Sequence, residues 1–280
     1  VYASEIDGGG NLATADLNRF IVETDSNATL QVDGTLNFAR IGDTLEAPLI
    51  ATGPEGHINR VVVGFDIRGS IEAQSYIGSV HLLKGDVVDD IVAGGANRRG
   101  VAIQRVVVRD GRLIGDITVD SLDGPTRPGG SIGSIVVNGS VNGTISTESA
   151  NEPSTGNPVP ANLNHLLIRG GDLNGTLDIA GDVNAVRVVN GRVTPGPTID
   201  IDGNIRRFIV AGNGLANPAF ERGRSSNTGM QVGGDVNFLS ISNWGSNQQY
   251  AVDATIDIDG QLRRAALGGG GGVNGELTIG

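Results

Sequence analysis

The stretch IGSIVVNGSVNGTIS, residues 132–146, decides how the rest of the chain is read. Ile132, Ile135 and Val137 are apolar at spacings of three and then two. Residues two apart on a strand point to the same side, so Ile135 and Val137 mark an inward-facing β segment, with Ile132 set off from it by a bend. The Asn-Gly pairs at Asn138 and Asn142 are strong turn signals, and the apolar alternation around them supplies further faces. No 3.6-residue periodicity is present here or elsewhere in the chain.

Outward from this segment the same pattern recurs. Eleven segments open on Leu17, Leu36, Ile58, Ile77, Ile103, Ile132, Leu163, Val183, Ile205, Val236 and Leu262. Three residues on stand Phe20, Ala39, Val61, Val80, Val106, Ile135, Leu166, Val186, Phe208, Leu239 and Ala265, and two further on Val22, Ile41, Val63, Leu82, Val108, Val137, Ile168, Val188, Val210, Ile241 and Leu267. All three columns are apolar throughout. A period of 19 to 31 residues is too short for a propeller blade, which needs about 40 residues and four strands, but about 20 residues fit one turn of a β-helix. The sequence therefore predicts an all-β fold, a single-stranded parallel β-helix (β-solenoid) of about eleven coils. At ~4.8 Å per coil the rod would be roughly 50 Å long. Asn follows the opening aliphatic at Asn18, Asn37, Asn59, Asn164, Asn184 and Asn237, which predicts an amide ladder at a corner.

Residues 1–16 read as an N-terminal segment or cap and 17–280 as the β-helix. Insertions rich in Gly, Pro, Asn and Ser fall near 121–130, 148–161, 214–229 and 243–252, and the apolar columns resume in register after each, so they read as corner loops. Loops of this kind are where binding specificity usually resides.

Composition narrows the function classes. Of 280 residues 45 are Gly and only 10 are Pro, without a Gly-X-Y period, which excludes collagen. The net charge of -11 argues against nucleic acid as a partner. With no Cys, neither disulfides nor thiolate sites can form. No run of 18 apolar residues predicts a membrane span, and no charged start with a hydrophobic segment predicts a signal peptide.

Chemistry-bearing motifs are sparse. His57, His81 and His165 fall at different repeat positions, and GGGGG at 268–272 precedes no helix, so the expectation is a protein that is not an enzyme and has no cofactor. The motif TIDIDG occurs at 198–203 and again at 255–260. Alternation turns Asp200, Asp202, Asp257 and Asp259 outward, with Asp178 and Asp33 in matching columns. Hard carboxylate oxygens suit Ca²⁺, so these four are candidate calcium ligands, against the plainer reading of solvated acids that discourage edge pairing. Gln231 and Gly233 in the intervening coil set the two pairs roughly 10 Å apart, too far for one ion to bridge. The Asn-X-Ser/Thr sites at Asn27, Asn138, Asn142 and Asn174 match the glycosylation pattern, though three are turns a β-helix needs anyway.

Two residues after the repeat start, Arg19, Arg60, Arg105, Arg207 and Arg264 form an outward column that includes His165. Two further on the outward position is apolar at Ile21, Val62, Val107, Val136, Leu167 and Ile209. An apolar stripe flanked by Arg predicts an interface, either with another rod or with the chain's own loops.

The phrases IGSIVVNGSVNGTI, LNHLLIRGGDLNGTLDI and GDVNAVRVVNG resemble the Gly/Asn-rich β-helical repeats of large bacterial surface and secreted proteins. The resemblance covers 17–280 and implies a β-helix at an extracellular or cell-surface location. It carries over no catalytic residue, because adhesins, surface-layer components, fibres and polysaccharide-degrading enzymes share such scaffolds. Strand-like VYASEIDGGG at the start and GELTIG at the finish suggest ends that pair with other copies. The expectation is an extracellular rod that stacks head-to-tail, and laterally along its stripe, into a filament or surface layer. The alternative is a glycan-binding or polysaccharide-degrading β-helix, adhesin- or tailspike-like, with surface glycans as partners.

Overall fold

A computed structural model describes residues 2–3, 5–6, 12–13, 16–53, 55–120, 130–151, 158–159, 161–194, 198–212, 220–221, 229–242, 250–253, 255–268, 272–273 and 276–280. Among these every regular element is a strand and none is a helix. Two large sheets, both parallel throughout, hold most of them. The first wall has eleven strands, from Phe20–Val22 through Ile58–Val63, Val101–Val108, Ser131–Val137 and Leu163–Arg169 to Ala265–Gly268. The second has twelve, from Tyr2–Ala3 and Leu30–Asp33 through Ile145–Thr147 and Ile199–Ile201 to Leu277–Ile279. The chain visits the walls in turn, and each strand pairs with its counterpart one repeat later, an arrangement compatible with a β-solenoid.

The register follows the three columns residue for residue. Ile77 lies between Ile58 and Ile103, Val80 between Val61 and Val106, and Leu82 between Val63 and Val108. Where the opening residue lies outside a strand it still bridges in parallel, as in Leu17 to Leu36 and Ile205 to Val236. A fourth inward column was not foreseen. Ser26, Leu45, Ile67, Val87, Leu113, Val141, Leu173 and Val193 bridge one another in order at the bend between the walls. Two more inward residues come from each strand of the second wall, as in Ile91 and Ala93 or Ile199 and Ile201. A repeat such as that of Ile132, Ile135, Val137, Val141 and Ile145 thus buries its whole inner set, and the repeats merge into one core. Branched aliphatics suit it, since they fill a thin pleated space without polar atoms.

The corners have their own device. The residue just before an inward corner position is repeatedly Asp, Asn, Ser or Thr, and its side-chain oxygen accepts the backbone N–H of the equivalent residue in the next repeat. At the entry to the first wall the Oδ1 atoms of Asn162, Asp182, Asn204 and Asp235 take the N–H of Asp182, Asn204, Asp235 and Gln261 in succession, at 2.7–3.0 Å. Asp66 and Asp86 do the same at the bend between walls, and Asp90 and Asp116 before the second wall. Corner amides that the ladder leaves without a carbonyl partner are satisfied in this way. The amide ladder expected one residue after the repeat start is present where Asn59 donates to Asn37 at 2.7 Å, whereas Asn184 faces His165 at 3.3 Å. Glycine stacks line other bends. A Cβ on Gly171 would sit 2.2 Å from the carbonyl carbon of Gly139, and one on Gly191 would sit 1.8 Å from the Gly171 oxygen.

The insertions are described only in part, and 121–129 lies outside the described residues. Ala150–Asn151 and Pro158–Val159 form an antiparallel pair. Phe220–Glu221, Tyr250–Asp253 and Gly272–Val273 stack as a small parallel sheet, so segments within and beside two insertions continue the pairing logic of the walls. At the start of the chain Tyr2–Ala3 pairs with Gln31 and Val32, and Glu5–Ile6 with Leu12–Ala13.

Candidate interaction faces

Strands with one side in the core turn alternate residues outward, so each wall displays columns that run along the axis at one repeat spacing. On the first wall the column two residues after the repeat start reads Arg19, Phe38, Arg60, Ser79, Arg105, Ser134, His165, Ala185, Arg207, Phe238 and Arg264. Basic and non-basic residues alternate along its whole length. The Arg19 and Arg60 guanidinium carbons lie 5.9 and 6.0 Å from the Phe38 ring centre, and that of Arg264 lies 5.6 Å from Phe238, so the phenylalanines are clasped by their arginine neighbours.

The next outward column contains all six residues of the apolar stripe. Register places Arg40 between Ile21 and Val62, His81 between Val62 and Val107, and Arg187 between Leu167 and Ile209. The stripe is therefore interrupted, with Val107, Val136 and Leu167 its longest apolar run. Ile21 is 38% exposed, whereas Val107 is 8% exposed and belongs to the core side of the balance. His81 is held below the ordinary histidine range, first by burial and then by the positive charge of Arg60, Arg105 and Arg109. A third outward column, six residues after the repeat start, includes Glu23, Arg109 and Arg169, and Glu23 is the one carboxylate in the three.

The second wall is the electrostatic counterpart. Its outward columns carry Glu72, Asp178, Asp200 and Asp257 between the inward pairs, and Asp33, Asp120, Glu148, Asp202 and Asp259 just after them, with no Arg or Lys. Asp178 pairs directly with Asp200. Asp200 is pushed above the usual carboxylate range by burial and by Asp202 and Asp178, and Glu148 by burial, by Asp120 and by Asp178. Like charges side by side are unfavourable on a sheet, and here the wall leaves that repulsion in place.

Asp200 and Asp257 stand two strands apart with Gln231 between them, as the repeat spacing requires. Among the described residues no three His, Cys, Asp or Glu side chains converge in a metal-holding group. The histidines are likewise apart. His57 packs on Tyr76 with ring centres 4.7 Å apart and contacts Glu55 at 3.1 Å, while His81 and His165 occupy separate outward columns. Of the Asn-X-Ser/Thr sites, Asn142 and Asn174 bond to each other at 2.8 Å and Asn138 donates to the Arg109 carbonyl at 3.0 Å.

At the corner that leads into the first wall lies a groove of about 500 Å³, lined by Asn184, Asn204, Arg206, Asp235, Asn237 and Arg263 among others. Arg206 reaches Asn184 at 3.4 Å and Arg263 reaches Asp235 at 3.4 Å. The sequence hinted at this groove only through the Asn column, since the preceding Asp/Asn positions looked like ordinary turn residues. No helix among the described residues is long and apolar enough to cross a membrane. No protein-family model matches this chain, and neither a curated protein nor a solved structure matches it.

Proposed function

We propose that the chain is a single-stranded parallel β-helix of about eleven coils with loop insertions at its corners. In this reading it serves outside the cell as a structural rod, not as a catalyst, and stacks end to end into a filament or surface layer. The observation that carries this is the unbroken parallel register of both walls, because a parallel coil presents on each edge the same pattern of N–H and C=O groups that its neighbour used. Any further coil, from whichever chain, meets a ready template. Leu277 and Ile279 continue the inward columns of the second wall, paired with Ile256 and Ile258. The acids Asp200, Asp202, Asp257 and Asp259 act as solvated strand residues, and calcium, where it binds them, binds loosely. Electron microscopy and sedimentation of the purified chain test the reading. Filaments should form as concentration rises and should be lost in a Leu277→Lys, Ile279→Lys variant and on deletion of 1–10. A chain that stays monomeric at high concentration refutes end-to-end assembly.

A second reading, recognition of surface glycans, is favoured by the corner groove. Planar amide, carboxylate and guanidinium groups such as those of Asn204, Asp235 and Arg206 offer the paired donors and acceptors that sugar hydroxyls need. Binding of an oligosaccharide that is lost in Asn204→Ala and Arg206→Ala would support it. Silence across neutral and acidic polysaccharides would remove it.

A further inference from the structure

The two walls separate the charges of the chain, and that separation specifies a partner. In the repeats that begin at Ile103 through Ile205, the first wall turns out Arg105, Arg109, Arg169, Arg187 and Arg207, all exposed. The same stretch of the second wall turns out Asp120, Glu148, Asp178, Asp200 and Asp202, of which Glu148, Asp178 and Asp202 are exposed. Neither set is neutralised within its own wall, as the lowered His81 and the raised Asp200 and Glu148 record.

We infer that the occupant of the arginine wall is the acidic wall of a second copy of this chain, lying alongside in parallel and unshifted along the axis. Both sets of charges occupy the same stretch of the molecule and are spaced by the same repeat, so an unshifted neighbour brings them opposite one another. The half-buried Val136 and Leu167 lie between the arginine columns and supply the apolar centre of the contact. Because the two surfaces differ, the contact is heterologous. A pair of rods keeps one free wall of each sign, and association continues sideways into a sheet.

Size sets the strength. A wall roughly 50 Å long and about 10 Å wide, the span of three outward residues, gives on the order of 500 Å² a side and about 1,000 Å² in all, the lower bound of a specific interface. Electrostatics then governs assembly, and the contact should be weak and strongly salt-dependent. It does not depend on end-to-end stacking.

The test uses the full chain carrying Leu277→Lys and Ile279→Lys, so that end contacts are blocked and failure of filament formation is separate from failure of the lateral contact. Sedimentation velocity between about 0.01 M and about 1 M salt, where the Debye length falls from about 30 Å to about 3 Å, should show association weakening at least tenfold. In this background, Arg105→Glu, Arg109→Glu, Arg169→Glu, Arg187→Glu and Arg207→Glu together make that stretch acidic on both walls, and Asp120→Arg, Glu148→Arg, Asp178→Arg, Asp200→Arg and Asp202→Arg together make it basic on both. Each variant alone should stay monomeric with unchanged far-ultraviolet circular dichroism, and an equal mixture of the two should associate. Association that salt does not weaken, a parent that is monomeric in low salt, variants that associate alone as the parent does, or two folded variants that fail to associate on mixing would each overturn the inference. Should either variant not fold, the salt dependence of the parent decides alone.

Discussion

Replacing Gly171 by Ala puts the packing of the coils to a direct test. An added Cβ would lie 2.2 Å from the Gly139 carbonyl carbon, 2.4 Å from its oxygen and 2.4 Å from the Ser140 nitrogen, all backbone atoms of the preceding repeat. Carbon atoms pack best at about 3.5–4.0 Å, so relief requires the two strands to part by on the order of 1 Å. The adjacent bond from Val141 N–H to the Asp172 carbonyl is 2.9 Å long, and that displacement carries it past about 3.5 Å, beyond useful hydrogen-bond range. Overpacking of about 1–3 kcal/mol and a lost bond of about 1 kcal/mol together predict destabilisation of about 2–4 kcal/mol. Two internal controls separate crowding from the general effect of removing a glycine. At Gly170, where φ is +67° and a Cβ would have nothing within 4 Å, Ala costs only the left-handed backbone, about 1 kcal/mol. Gly268 has open space and no positive φ, so Ala there should be neutral or stabilise by up to about 1 kcal/mol through the unfolded chain. Urea unfolding followed by far-ultraviolet circular dichroism ranks the three variants. If Gly171→Ala unfolds at the same urea concentration as Gly268→Ala, close approach between coils does not determine where glycine is required.

Asp182 is the middle of a corner relay, accepting the Asn204 N–H at 2.8 Å and its amide Nδ2 at 3.0 Å. Asp182→Ala should lower stability by about 1 kcal/mol, because water can reach the exposed amide, while Asp182→Asn keeps the acceptor and stays near wild type; equal losses for the two would show that the acceptor is not what matters. On the acidic wall, the raised Asp200 is a carboxylate whose neutral form the fold prefers, so its contribution is fully present below the ordinary carboxylate pKa and is lost as pH rises through the folded value. Asp86 runs the other way. Bonded by the Arg112 side chain at 2.6 Å, it lies below the usual range, and its stabilisation is present above the ordinary carboxylate pKa and disappears as pH falls through the folded value. Melting temperature measured from pH 7 downward should therefore rise first and fall later, and Asp200→Asn should flatten the rise while Asp86→Asn flattens the fall. A melting temperature that only falls on acidification would contradict the assignment for Asp200.

What the sequence made legible depended on how many inward residues a segment repeats in a fixed frame. The first wall repeats three, at offsets of zero, three and five from residues such as Ile132 and Leu163, and the structure pairs those columns throughout. The second wall offers only two, as at Ile117 and Val119, and its distance from the first varies, from eight residues after Val137 to 20 after Val210. The bend column offers one, so Leu113 and Val141 are indistinguishable from isolated aliphatics until their bridge is seen. The relay residues Asp90 and Asp116 were hidden for a different reason. Asp and Asn are common in turns for local hydrogen bonds, and here the bond runs to the next coil instead. A search for Asp, Asn, Ser or Thr directly before each inward aliphatic would have found them. Charge separation was half visible. Arg60 and Arg105 stood in a column already read, whereas Asp120 and Glu148 each border an insertion that breaks the sequence frame.

Parallel stacking accounts for both the regularity of this chain and its unevenness. Each coil meets only two neighbours, so stability accumulates through adjacent interfaces and no coil is fixed by distant contacts. A column therefore tolerates substitution wherever both neighbours tolerate it, which is why Ala39 or Thr147 can stand among Val and Ile. At the bends, where backbones approach most closely, tolerance ends, and Gly139, Gly171 and Gly191 succeed one another because each forbids a side chain on the next. Outward columns are under neither constraint. Packing does not require a strict alternation of Arg19, Phe38, Arg60, Ser79 and Arg105, nor an adjacent Asp178 and Asp200 whose repulsion the fold must bear. A pattern that the core does not impose, and that costs the isolated rod stability, is accounted for by a surface that meets its complement outside the molecule. In the lateral contact we infer, a second copy supplies that complement.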